Sequence, residues 1–141
     1  VLDGQNMRRG ISRDLGFSAE DRSENLRRSA EVARLLNDAG LICIGAFVAP
    51  RQGVRQKAAQ VVGEERFLVV HLAAPIDICR QRDTEGQYER ADSGDIPNFP
   101  GVTSPYEDPV EPALVLPIHE WAVSRCVEAI LELLQQRGIT T

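Results

Sequence analysis

The stretch LICIGAF, residues Leu41–Phe47, is apolar at every position. A strand in a parallel sheet is covered by helices on both faces, and its sequence then reads as a continuous apolar run rather than as an alternation. The stretch therefore predicts a parallel strand that is buried on both sides. It decides the fold class, because helical patterns lie both before and after it.

A helix precedes this strand. Ser18, with Asp21 three residues later, resembles a capping box in which Asp replaces the usual Glu. Apolar residues then recur at helical spacing, and Gly40 suits the position just past a helix end. The sequence therefore predicts a helix that begins at Ser18 and stops before Gly40, with its apolar side formed by Leu26, Ala30, Ala33 and Leu36.

Helices and strands continue to alternate after Phe47, which predicts an α/β fold with a parallel sheet. The predicted elements are a helix over 54–62, a strand over 67–72, a helix around Ile76–Cys79, a strand over 114–116 and a helix over 119–137. Ligands in such folds bind at the carboxyl ends of the strands. Three segments lie at such ends: Asp3, Val48–Arg51 and Ala73–Pro75.

The composition indicates one ordinary globular domain of 141 residues, with 43% apolar and 26% charged residues. No apolar run approaches the roughly 20 residues of a membrane span. The net charge is −5, yet residues 1–57 hold ten Lys and Arg against seven Asp and Glu. An acidic chain with a local excess of arginine favours a confined anion site over a nucleic-acid surface.

The three cysteines, Cys43, Cys79 and Cys126, are widely spaced and form no CxxC motif. Each lies in an apolar pattern, so we predict buried free thiols and a reducing, cytoplasmic location. His71 and His119 have no Cys or His at ligand spacing, and no metal site is predicted.

The stretch Val1–Arg28 concentrates the polar chemistry. A strand remnant ends at Asp3, and we predict a loop through Arg13 and then a turn at Leu15–Phe17. Arginine forks bind anions, an aromatic face binds a planar group, and a carboxylate accepts a proton. These residue types suit a planar, anionic small molecule, although the same pattern is also typical of a solvated, charged surface.

The segment Thr84–Pro112 is rich in Gly, Pro, Asp and Ser, with short helical potential only around Tyr88–Asp92. A loop of this length inside a compact domain is usually either a functional lid or disordered.

These residues together resemble the adenylylsulfate kinase family, which phosphorylates adenosine 5′-phosphosulfate (APS) on its 3′-hydroxyl. The resemblance covers essentially the whole chain and is carried by several short motifs in the family's order. They are LDGQNMR from Leu2, RDLGFS from Arg13, ENLRR from Glu24, AGLIC from Ala39, QRD from Gln81, GDI from Gly94 and PYE from Pro105.

The resemblance implies a P-loop kinase-like, three-layer fold in which residues 1–141 form the kinase domain, with a lid over about 84–112. It implies ATP with Mg²⁺, and a homodimer or a fusion with a sulfurylase. It assigns Asp3 as the catalytic group near the acceptor hydroxyl and Arg82 to the ATP side. The implied substrate-binding residues are Arg8, Phe17, Arg22, Asn25, Val48 and Phe99.

Several positions depart from the family pattern. No G-x-x-x-x-G-K-[ST] motif occurs, and Lys57 is the only lysine. We therefore expect the first strand and the P-loop to precede Val1, unless this is a degenerate kinase domain. Gln5 replaces a second Asp, Ala49 replaces a common Ser, and the lysine before Phe99 is missing.

Three hypotheses follow. The first is an active adenylylsulfate kinase that serves sulfate activation. The second is a catalytically impaired kinase-like domain that binds APS or its product, with a regulatory or oligomerisation role in a larger sulfate-assimilation protein. The third is a related P-loop kinase for another small hydroxyl compound.

Overall fold

The computed structural model describes every residue from Val1 to Thr141. Four short strands alternate with six helices, so the predicted α/β class is confirmed. The strands are β1 (Leu2–Asp3), β2 (Gly45–Ala46), β3 (Val70–Ala73) and β4 (Leu114–Pro117). The helices are α1 (Gly4–Arg9), α2 (Ala19–Asp38), α3 (Gln52–Val62), α4 (Ile76–Gln81), α5 (Gln87–Asp92) and α6 (Val123–Gln136), with a 3-10 turn at Glu64–Arg66.

The chain forms two compact units, of which the first contains residues 1–67 and 89–108. In this unit β1 and β2 pair in parallel, with Leu2 opposite Gly45 and Asp3 opposite Ala46. The core of the unit lies between α2 and α3, where the small residues Ala30 and Ala58 permit close packing. Val62 completes this buried cluster.

The second unit contains residues 68–88 and 109–141. Here β3 and β4 pair in parallel over four residues, and α6 packs on β4. Leu116 is fully buried and contacts Cys126 and Ala129 of the helix, while Trp121 packs against the same cluster. None of the helices has both the length and the apolar character that a membrane span requires.

The loop predicted after Asp3 is wrong, because residues Gly4–Arg9 form helix α1. The Asp3 carboxylate is the cause: its Oδ1 accepts hydrogen bonds from the backbone N–H groups of Gln5 and Asn6. Asp is among the preferred N-cap residues for this reason. The helix continues only to Arg9 and is followed by turns at Gly10–Asp14.

The strand predicted at Leu41–Phe47 is shorter and more exposed than expected. Only Gly45 and Ala46 pair, and β1 is their sole partner strand. Leu41, Ile42 and Ile44 are each more than half exposed, so both faces are not covered. The prediction of buried thiols is likewise correct only for Cys126, since Cys43 and Cys79 are half-buried; all three cysteines are free.

Two element bounds in the second unit also differ from prediction. The closing helix begins at Val123 rather than His119, because the N–H groups of Glu120 and Trp121 bond to the Pro117 carbonyl in a turn. Strand β3 covers Val70–Ala73 rather than residues 67–72, and its bounds match its four pairs with β4.

Candidate functional site

Asp3 lies at the carboxyl end of β1, directly before α1. Its Oδ2 accepts a hydrogen bond of 2.7 Å from the Asn6 side chain, in addition to the two backbone bonds at Oδ1. Because Asp3 pairs with Ala46, the chain from Phe47 to Val48 leaves β2 at the same sheet edge. The predicted grouping of Asp3 and the post-β2 loop at strand ends is therefore confirmed.

Two guanidinium groups lie close to the Phe17 ring. The Cζ atom of Arg8 is 4.4 Å from the ring centroid and that of Arg22 is 5.6 Å from it. Arg8 Nε also donates to the Gly16 carbonyl, and Arg22 Nε donates to the Phe17 carbonyl. The ring remains 60% exposed. Three of the predicted site residues thus form one surface, open to solvent, with cation–π contacts.

Neither Arg8 nor Arg22 forms an ion pair, in contrast to most arginines of α2. Burial lowers the pKa of Arg22 below its usual value, and the positive charge of Arg8 lowers it further. Two neighbouring cations without a counter-charge repel each other, and a bound anion would relieve that repulsion. Arginine forks are also the side chains best suited to planar oxyanions.

Asn25 lies beside this surface and is only 2% exposed. Its Oδ1 atom has no hydrogen-bond partner. A buried polar atom without a partner is rare in native proteins and needs an explanation. The atom is itself closed off from solvent, so a ligand donor would reach it only after a neighbouring side chain moves.

The Arg8 and Asn25 side chains both lie close to Gly4, which has no side chain to occupy that space. A Cβ atom at Gly4 would lie 3.2 Å from Arg8 Nη1, 3.9 Å from Asn25 Nδ2 and 3.9 Å from the Phe47 ring. Gly4 and Phe47 were not predicted as site residues. Their sequence signals were available: Gly4 follows a strand end, and Phe47 is the last apolar residue of the LICIGAF run.

The loop that carries Gly16 and Phe17 is held by Arg28 of α2. Its Nη1 and Nη2 bind both carboxylate oxygens of Asp14, at 2.6 and 2.9 Å, and Nη1 also donates to the Ile11 carbonyl. Its Nε binds Glu24. Arg28 therefore anchors the loop from the helix. Arg27 and Arg34 pair with helix carboxylates, as expected for surface residues.

Acidic pH should weaken this loop anchor. Arg27 and Arg28 lower the pKa of Glu24 from 4.5 to about 2, and Arg28 lowers the pKa of Asp14. A depressed pKa contributes stability that is complete above about pH 4.5 and is lost as the pH falls toward 2. We expect the stability difference between the unsubstituted chain and Glu24→Gln, measured by urea unfolding, to vanish over that range. A difference that stays constant from pH 6 to pH 2.5 would contradict this.

The other predicted substrate and ATP-side residues are Val48, Phe99 and Arg82. Val48 is 58% exposed on the loop after β2, and Ala49 beside it has a left-handed backbone with φ +40°. Phe99 is half-buried, and its N–H donates to Thr103 Oγ1. Arg82, in the second unit, donates to the Ile118 carbonyl. The contacts place Arg8, Phe17, Arg22 and Asn25 close together. The roles of these four residues, and those of Asp3, Val48, Phe99 and Arg82, stay predictions.

No group of three or more His, Cys, Asp or Glu side chains is placed to hold a metal ion. Asp3, the carboxylate at the sheet edge, already accepts three hydrogen bonds. Magnesium binds through one or two carboxylates together with substrate phosphates, and Gln5 supplies no second carboxylate here. These residues therefore do not form a magnesium centre on their own.

A family model described as adenylylsulphate kinase matches residues 1–117 of the chain. A bifunctional enzyme CysN/CysC of Rhodopirellula baltica is 55% identical over 98% of the chain, which spans only 21% of that relative. An adenylyl-sulfate kinase of Acaryochloris marina is 44% identical over 99% of the chain, which spans 68% of it.

A solved structure shares the fold. The APS kinase CysC of Mycobacterium tuberculosis, in complex with AMPPNP and APS, superposes with a TM-score of 0.90 at 37% identity. The match covers 95% of this chain and 78% of that one. The chain thus spans a fifth of the bifunctional relative and about two thirds of a single-function one.

Proposed function

Since the chain belongs to the adenylylsulphate kinase family, we propose that the protein containing it transfers a phosphoryl group from ATP to the 3′-hydroxyl of APS. The product would be 3′-phosphoadenosine 5′-phosphosulfate (PAPS), the activated form of sulfate. The observation that carries the proposal is the surface of Arg8, Phe17 and Arg22, which combines two uncompensated cations with an exposed ring.

The chemistry of this surface matches the acceptor. APS has a flat purine, which an aromatic face can stack against, and a phosphosulfate whose oxygens suit arginine forks. Asn25 would accept a hydrogen bond from a ribose hydroxyl at its unpaired Oδ1, once a neighbouring side chain moves and uncovers that atom. Val48 and Phe99 would complete the acceptor site, with Phe99 on the opposite side of the purine. Arg82 would act on the ATP side.

Asp3 would serve the transfer itself. In the proposed step the 3′-hydroxyl loses its proton to the Asp3 carboxylate as its oxygen forms a bond to the γ-phosphorus of ATP. The bond from that phosphorus to the bridging oxygen breaks, and ADP leaves with the electron pair. Such transfers depend mainly on alignment and charge stabilisation, so the protein contributes position more than covalent chemistry.

The activity requires partners that these residues do not supply. ATP would bind together with Mg²⁺, which its phosphate oxygens and water would hold. We place the protein in the cytoplasm, where ATP is abundant, and expect a homodimer or a fused sulfurylase. The Rhodopirellula relative, in which this chain corresponds to a fifth of a bifunctional enzyme, supports the fusion. Light scattering on the intact protein would distinguish these assemblies.

The direct test is an assay of the intact protein with ATP and APS. We expect PAPS to form, and we expect AMP, which has the same adenosine without the sulfate, to be a poor acceptor. Folded, purified protein that forms no PAPS would contradict the proposal.

The changes at Gln5 and Ala49 favour one alternative, a domain that binds APS without turnover. Calorimetry would reveal this case as APS binding in the absence of product. A thermal-shift screen of other small hydroxyl compounds would identify a different acceptor.

A further inference from the structure

The most deeply buried charge of the first unit lies outside the surface described above. Arg55 of α3 is only 6% exposed and forms no ion pair. A buried charge is costly unless hydrogen bonds satisfy it. Arg55 meets this need entirely with neutral oxygens. Its Nη1 donates to the Ala49 carbonyl at 2.6 Å, its Nη2 to the Glu107 carbonyl at 2.7 Å, and Nε and Nη2 to Gln52 Oε1.

Glu107 also makes two hydrogen bonds of its own to the start of α3 and the residues before it. Its Oε2 accepts a 2.7 Å hydrogen bond from the Gln52 N–H, and its own N–H donates to the Pro50 carbonyl at 2.8 Å. Helix α3 has no cap from its own N-cap residue, Arg51. Glu107 is therefore the carboxylate that satisfies the first turn of α3, from 55 residues away.

These bonds fix the backbone that follows β2. Ala49 has φ +40°, a conformation that a residue with a Cβ adopts only when its surroundings impose it. Its carbonyl is bound by Arg55 and the next carbonyl, of Pro50, by Glu107. We call this set, Ala49–Gln52 with Arg55 and Glu107, the Arg55–Glu107 clasp.

We propose that Arg55 is a positioning residue for the acceptor site, holding the Val48–Ala49 loop in place by joining it to Glu107, which lies inside the lid segment. The inference rests on the proposed function, because Val48 is a proposed APS contact. Arg55 itself touches no substrate; it acts through the loop.

The test compares Arg55→Gln with Lys57→Gln in the full-length protein. Lys57 is an exposed cation two residues further along α3 that forms no ion pair, so it controls for loss of one charge from this helix. Loss of hydrogen bonds from a charged donor should raise the KM for APS about tenfold in Arg55→Gln. The KM for ATP should change less than about twofold, because the clasp supports only the acceptor loop. Arg55→Lys should restore part of the loss, since an ammonium can still bind one carbonyl.

Hydrogen exchange gives a readout that does not depend on activity. The Gln52 and Glu107 amides both donate within the clasp, so in the unliganded protein their exchange should accelerate at least about tenfold in Arg55→Gln and stay unchanged in Lys57→Gln. Unchanged exchange at both amides, or an unchanged KM for APS, would overturn the proposal.

Two further outcomes are informative. If the unsubstituted protein does not phosphorylate APS, the proposed function fails while the exchange data still decide whether the clasp exists. If Arg55→Gln does not fold, Glu107→Ala replaces it, because Glu107 is exposed and its removal deletes the α3 cap alone. Glu107→Ala should then accelerate exchange at Gln52 and raise the KM for APS, and failure of both effects would reject the clasp.

Discussion

Asp3→Asn is expected to lower kcat for APS phosphorylation roughly 10²–10⁴-fold, the usual contribution of a positioned general base. The KM for APS should change little, because the proposed role of Asp3 is to take a proton rather than to bind substrate. The substitution keeps the cap of α1, since Asn is as good an N-cap as Asp and its Oδ1 can still accept from the Gln5 and Asn6 N–H groups. It loses only the bond from the Asn6 side chain, because an NH2 group replaces Oδ2. Steady-state kinetics and thermal unfolding together make the measurement.

Asp3→Ala is the matched comparison for this prediction. It removes the carboxylate and the cap together, so it should lose kcat to a similar extent and also lose about 0.5–2 kcal/mol of stability. If Asp3→Asn keeps its kcat while Asp3→Ala is unstable, Asp3 is only the cap of α1 and the proposed catalytic role is wrong.

Arg22→Gln should lower kcat/KM for APS about 10²–10³-fold, which is the typical cost of removing one donor that stabilises a negatively charged group in a catalytic site. The change removes one of the two cations beside the Phe17 ring, so only Arg8 is left to bind the anion. The kcat/KM of Arg22→Lys should lie between that of the unsubstituted protein and that of Arg22→Gln, because Lys keeps the charge but cannot bind two oxygens through a planar fork.

Arg27→Gln provides the control on the same helix. Arg27 is 52% exposed and pairs with Glu24 and Glu31, so its loss should change kcat/KM less than about twofold, as expected of an exposed salt bridge. Equal effects of Arg22→Gln and Arg27→Gln would show that the surface around Phe17 does not bind the acceptor. Unfolding curves for both variants would show whether a loss at Arg22 reflects a loosened Phe17 loop instead.

Local signals predicted most of the helices correctly. The Ser18 hydroxyl does accept from the Asp21 N–H and begins α2, and Gly40, with φ +82°, follows its end. Asp21, however, does not complete a capping box: its carboxylate accepts from the Gly16 N–H and so shapes the turn before Phe17. The sequence thus predicted the start of α2 correctly but not the hydrogen-bond partner of the Asp21 carboxylate.

Contacts between distant residues could not be read from the pattern. Arg28 reaches Asp14 across 14 residues, and Arg55 reaches the Glu107 carbonyl across 52. Sequence spacing indicates neighbours three or four positions apart on a helix, but it carries no information about which loop a long side chain meets. The same limit explains Leu41–Ile44: an apolar run predicts burial, whereas the amount of burial depends on elements far away in the chain.

The cap of α3 by Glu107 has a consequence for synthesis on the ribosome. The first turn of α3 has no capping side chain of its own, and Glu107 is made 55 residues after Gln52. At typical elongation rates of about 5–20 residues per second, that interval is roughly 3–11 s. Until Glu107 is made, the first turn of α3 lacks its cap and Arg55 lacks one of its acceptors. We therefore expect the loop after β2 to become ordered late, once Glu107 has emerged.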